Sequence, residues 1–60
     1  MYEKYAAIRD EKKLTDYAVA KAAGIGASTF SDWKKARSKP KLEKLMKIAA
    51  VLNVTIEELI

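Results

Sequence analysis

The chain has 60 residues, half of them hydrophobic, with 12 basic and eight acidic side chains and a formal net charge of +4. Cysteine and histidine are both absent, which excludes a disulfide framework, the usual zinc sites and histidine acid–base relays. No apolar run approaches the roughly 20 residues that cross a bilayer, and the opening Met1-Tyr2-Glu3-Lys4-Tyr5 is too charged for a signal peptide. One domain over residues 1–60 and a cytoplasmic location are therefore expected.

The pattern reads as all-α. A first helix is expected over about 2–12, with Tyr5, Ile8 and Met1 sharing a face by helical spacing. Leu14 opens a turn. Thr15 is placed to cap a second helix over about 16–23, and Asp16 brings a negative charge to its first turn. Val19, Ala20 and Ala23 form the inner face of that helix. Gly24 ends it in the left-handed conformation that glycine adopts at low cost, and Ile25 plugs the corner. A third helix follows over about 27–35, weakly capped by Gly26, with Phe30 and Trp33 pointing inward together. Residues 36–40 form a loop, where Pro40 biases Lys39 away from helix. A fourth helix is expected over about 41–52. Its buried stripe comprises Leu42, Leu45, Ile48, Ala49 and Leu52, with Met46 at the edge. After Asn53, Thr55 and Glu58 are spaced as a capping box for a fifth, short helix, and Val54 and Leu59 as its hydrophobic staple.

Charge is unevenly spread. Residues 1–33 carry five basic and five acidic side chains, whereas residues 34–47 carry seven basic ones (Lys34, Lys35, Arg37, Lys39, Lys41, Lys44, Lys47) against the single acid Glu43. A basic block beside a turn is an electrostatic footprint for a polyanion. A membrane-surface helix would instead combine such charge with large apolar anchors, and here the densest charge flanks a proline loop.

Residues 16–33 describe two short helices meeting at an angle. Ala20 permits close approach, Gly24 bends the chain, and Phe30 and Trp33 clamp the second helix of the pair to the core. That leaves the opposite face of that helix outside, the layout of a helix-turn-helix that reads the DNA major groove. The run from Leu14 to Ile25, then Ser28-Thr29-Phe30-Ser31-Asp32-Trp33, resembles the repressor/Cro-type helix-turn-helix family of phages and bacteria. The tail (Arg37-Ser38-Lys39-Pro40, Leu42, Leu45, Ile48-Ala49, Leu52-Asn53-Val54, Glu58-Leu59) resembles the family's ending, so the likeness spans about residues 4 to 60. It implies a compact five-helix, lambda-repressor-like domain that binds double-stranded DNA sequence-specifically and controls transcription. It also implies a homodimer on a near-palindromic operator. Three positions depart from the family pattern: Lys13 and Ala36 stand where Gly is frequent, and Lys41 where a capping Ser is common. Ala36 is then either left-handed, at a cost of about 1 kcal/mol, or part of a longer third helix.

By alignment with that family, the base-reading positions fall on Ala27, Ser28, Ser31 and Asp32. Ser28 can donate or accept, Ala27 can meet a thymine methyl, and Asp32 can accept from cytosine N4. As surface residues, Ser28 is equally a capping serine and Asp32 a partner for Lys34 or Lys35. Phosphate contacts are expected at Thr15 and Asp16, through the amides opening the second helix, at Tyr17, and at Lys35, Arg37 and Lys39 after the third helix. No catalytic residue, metal or cofactor is expected, because no base–nucleophile pair has a recognisable spacing and so small a helical domain lacks room for a deep pocket. The competing reading is a helical scaffold, a designed or folding-study domain, whose DNA face is vestigial.

Overall fold

A computed structural model describes residues 2–60. Four α-helices, α1 (Tyr2–Glu11), α2 (Asp16–Ala23), α3 (Ala27–Lys34) and α4 (Leu42–Leu52), are followed by a single 3-10 turn at Ile56–Glu58. The expected fifth α-helix is therefore this one turn. It is built from i→i+3 bonds, Glu58 N–H to Thr55 O at 3.1 Å and Leu59 N–H to Ile56 O at 2.9 Å. The Glu58 carboxylate reaches back to accept from the Thr55 amide at 2.8 Å, which closes the turn on itself. The other boundaries shift by one residue: α1 ends at Glu11, α3 at Lys34, and Lys41 caps α4 rather than opening it.

All four helices stop in the same way. Lys13, Gly24, Ala36 and Asn53 adopt φ of 57°, 71°, 58° and 57°. In each case the next amide reaches back across the last turn: Leu14 to Arg9 O, Ile25 to Ala20 O, Arg37 to Asp32 O and Val54 to Ala49 O, at 2.9–3.0 Å. These are Schellman closures, yet only one of the four left-handed residues is glycine. At Ala36 the first alternative holds: the residue is left-handed and α3 does not continue.

The core comprises Tyr5, Val19, Ala20, Ile25, Phe30, Trp33, Leu45, Ile48, Ala49, Leu52 and Leu59, with Val54 packed at its edge as the staple spacing requires. Two expectations are corrected. Ile8 is only partly buried, so Tyr5 is the residue α1 commits to the core. Leu42 is 65% exposed. It continues the α4 stripe by angle, but at the first position of the helix it is left in solvent while Pro40 before it and Leu45 after it are buried. Met46 is exposed, at the edge of the stripe as expected. Met1, expected on the face of Tyr5, lies outside the described residues. The two ends of the chain are tied by Lys4, whose Nζ donates to the Ile60 carbonyl at 2.8 Å.

Candidate nucleic-acid interface

The helix-turn-helix is α2, a turn at 24–26, and α3. Thr15 is extended (φ −111°, ψ 162°), and its Oγ1 accepts from the Ala18 amide at 3.1 Å. The amides of Asp16 and Tyr17, in the first turn, have no helical acceptor behind them and are open to an anion. Gly24 and Ile25 close the other end of α2. Ile25 is buried beside Ala20, the pair that a Schellman ending brings together.

On α3, Phe30 and Trp33 are 1% and 4% exposed. This rules out their use as an exposed base-stacking platform. Their burial turns Ala27, Ser28 and Ser31 outward to solvent, with Asp32 half-buried beside them. Tyr17 is 69% exposed; it covers no core and leaves its hydroxyl available. Lys35 and Lys39 are exposed. A surface hollow of about 350 Å³ separates the start of α1 from the loop after α3, lined by Tyr2, Glu3, Trp33, Lys34, Ala36, Ser38 and Lys39.

Two acidic residues are placed otherwise than expected. The Asp16 carboxylate turns away from solvent into a cluster supplied by α1. Its Oδ1 accepts from Arg9 Nη1 at 2.7 Å and from the Tyr5 hydroxyl at 2.8 Å, and its Oδ2 from the Tyr2 hydroxyl at 2.8 Å. The Asp16 carboxylate is thus paired with Arg9, which offsets its charge at the start of α2, and its amide is left facing outward. Burial by itself would raise the pKa of this carboxyl, but the hydrogen bonds from Arg9, Tyr5 and Tyr2 outweigh it and hold it below the ordinary value. Burial, then the bond to Asp16, push the Tyr5 hydroxyl well above its ordinary range. The second case is Asp32. Its partner is Arg37 and neither Lys34 nor Lys35: Arg37 Nε and Nη2 both reach Asp32 Oδ1, at 3.0 and 2.9 Å.

Sequence reasoning missed the α1 cluster. Its signal is present, since Tyr2, Tyr5 and Arg9 recur at i, i+3 and i+7 on one helical face. The cluster also reaches α3: the Tyr5 ring stacks on Trp33 with centroids 5.1 Å apart, and the Tyr2 ring meets it edge-on at 5.5 Å. One face of α1 therefore fixes both the start of α2 and the inner side of α3.

The helix-turn-helix family profile matches residues 6–59, nine-tenths of the chain, and the chain belongs to that family. Its family and its likeness to a solved regulator make it a DNA-binding helix-turn-helix regulator. Among solved structures it is similar to the master regulator for biofilm formation SinR in complex with DNA, at a TM-score of 0.90 and 26% identity, with 100% of both chains covered. No curated protein sequence matches it. Among the described residues, no helix is long and apolar enough to cross a membrane.

Proposed function

We propose that this domain is a cytoplasmic transcriptional repressor that lays α3 in the major groove, led by its N-terminal end. Two copies then occupy a near-palindromic operator. The observation that carries this reading is the outward face of Ala27, Ser28, Ser31 and Asp32, backed by the buried Phe30 and Trp33 and bordered by the exposed cations of residues 34–39. The four outward side chains meet base edges. The amides of Asp16 and Tyr17, the Thr15 and Tyr17 hydroxyls, and the side chains of Lys35, Arg37 and Lys39 hold phosphates. SinR, whose fold this chain shares, was solved in complex with DNA, which supports DNA as the partner.

The reading set is short and polar and offers few bidentate contacts, so specificity is modest and leans on phosphate positioning and DNA shape. Selection from a random duplex library at low salt, followed by footprinting, tests the proposal. Two protected half-sites about one helical turn apart, roughly 34 Å, are expected. Protection of one half-site alone would remove the pairing, and equal retention of every duplex would remove the sequence reading. Retention of none would leave the vestigial scaffold as the better account.

A further inference from the structure

Asp32 and Arg37 are joined twice. The Arg37 amide donates to the Asp32 carbonyl at 2.9 Å as part of the closure of α3, and the Arg37 guanidinium donates to the Asp32 carboxylate. The left-handed Ala36 makes both possible, because it folds the chain back and returns Arg37 over the last turn of α3. In a Schellman ending these two positions commonly carry an apolar contact. Here they carry an ion pair between one residue assigned to bases and one assigned to phosphates. Both guanidinium bonds fall on Oδ1, so among the described residues Oδ2 has no partner and is open to a further donor. The side chains are 40% and 58% exposed, so the pair is screened and is exchanged at little cost.

Resting on the DNA-binding reading above, we propose that Asp32 is a specificity-determining residue that acts through Arg37. Asp32 keeps Arg37 off the DNA backbone until a cytosine amino group satisfies its carboxylate, and Arg37 then transfers to a phosphate. The coupling is electrostatic. If Arg37 leaves while Asp32 faces an acceptor such as guanine O6 or N7 or thymine O4, a bare carboxylate is left among phosphates and acceptor edges. Cytosine N4 supplies a donor that removes this penalty. Adenine N6 also donates, but its neighbouring N7 acceptor repels the carboxylate. Base recognition and phosphate clamping are thus one event, which adds discrimination to an otherwise weak reading set.

The test is a salt-dependence cycle with wild type, Asp32→Asn, Arg37→Ala and the double variant, on a duplex of A·T pairs only, which holds no cytosine, and on a selected duplex with cytosine opposite Asp32. Each phosphate contact contributes about 0.9 to the slope of log affinity against log salt. On the A·T duplex, Arg37→Ala is expected to leave the wild-type slope unchanged. In the Asp32→Asn background the same substitution lowers the slope by about 0.9. On the cytosine duplex, Arg37→Ala lowers the slope by about 0.9 in the wild-type background too, which is roughly a threefold change in relative affinity between 50 and 200 mM salt. The comparisons are differences between duplexes and between backgrounds, so a loss of folded protein does not imitate them. An equal effect of Arg37→Ala on both duplexes and in both backgrounds overturns the coupling and leaves DNA binding intact. Failure of wild type to retain any duplex overturns the DNA-binding reading and this proposal together. The A·T arm, in the two Asp32 backgrounds, decides the question even where selection yields no preferred site.

Discussion

The Tyr5 hydroxyl donates to the Asp16 carboxylate at 2.8 Å while the rest of Tyr5 is buried in the core. One residue of α1 therefore joins the first turn of α2 to the aromatic packing under α3. Tyr5→Phe keeps the ring and loses the bond. A hydrogen bond to a charged group contributes about 1.5–3 kcal/mol, and a loss in that range is expected in urea denaturation. Tyr5→Ala and Trp33→Ala empty the same region and are expected to cost about 3–5 kcal/mol each. A domain of this size scarcely tolerates that, so an unfolded far-UV spectrum in dilute buffer is the expected result for both.

The same cluster is expected to make stability depend on pH at both ends of the range. The carboxyl of Asp16 titrates below its ordinary value in the folded chain. Its contribution is therefore full above about pH 4, the unfolded value, and is lost as pH falls through the lower folded one. Tyr5 titrates above its ordinary value. Its contribution is full below about pH 10 and is lost as pH rises from there toward the folded value. Stability measured against pH is expected to fall at both ends. Asp16→Asn should flatten the acid limb and Tyr5→Phe the alkaline one; limbs unchanged in both variants would remove the cluster as their cause.

The left-handed helix ends give a prediction independent of DNA. Gly24 has φ of 71°, and a Cβ built there meets nothing within 4 Å. The cost of Gly24→Ala is therefore backbone strain alone, about 1–2 kcal/mol. The reverse change at the exposed Ala36 or Lys13 is expected to stabilise by about 1 kcal/mol, less the extra chain entropy that glycine brings to the unfolded state. Chemical denaturation of the three single variants checks the signs.

Among the described residues, Lys35 and Lys39 have no acidic partner of the kind that Arg37 has in Asp32. If they contact phosphates as proposed, Lys35→Ala and Lys39→Ala each lower the salt slope by about 0.9, equally on selected and random duplexes. A sequence-dependent loss in either variant would assign that lysine to base reading instead.

Much of this is legible in the sequence. The helix starts and stops are written in residues within a turn of each other: Thr15 before Asp16, Gly24 after Ala23, Thr55 three before Glu58. Phe30 and Trp33 announce the inner face of α3 by their spacing, and their burial settles which side chains point out. The left-handed Ala36 was less plain, because alanine signals helix continuation as readily as a stop.

By itself, then, the sequence determined the all-α pattern, the helix-turn-helix and the outward set on α3, because capping, glycine turns and helical periodicity act between residues four or five positions apart. Only the tertiary structure decided which partners the charges take and where the core ends. Asp16 finds Arg9, Tyr2 and Tyr5 because α1 lies against the start of α2. Asp32 finds Arg37 and not Lys35 because the chain reverses at Ala36. Leu42 stays in solvent although its neighbours Pro40 and Leu45 are buried, because the packed core takes the other side of the first turn of α4. A charge or a methyl group carries no label for its partner; that choice depends on how the helices cross, and the crossing is a property of the packed core as a whole.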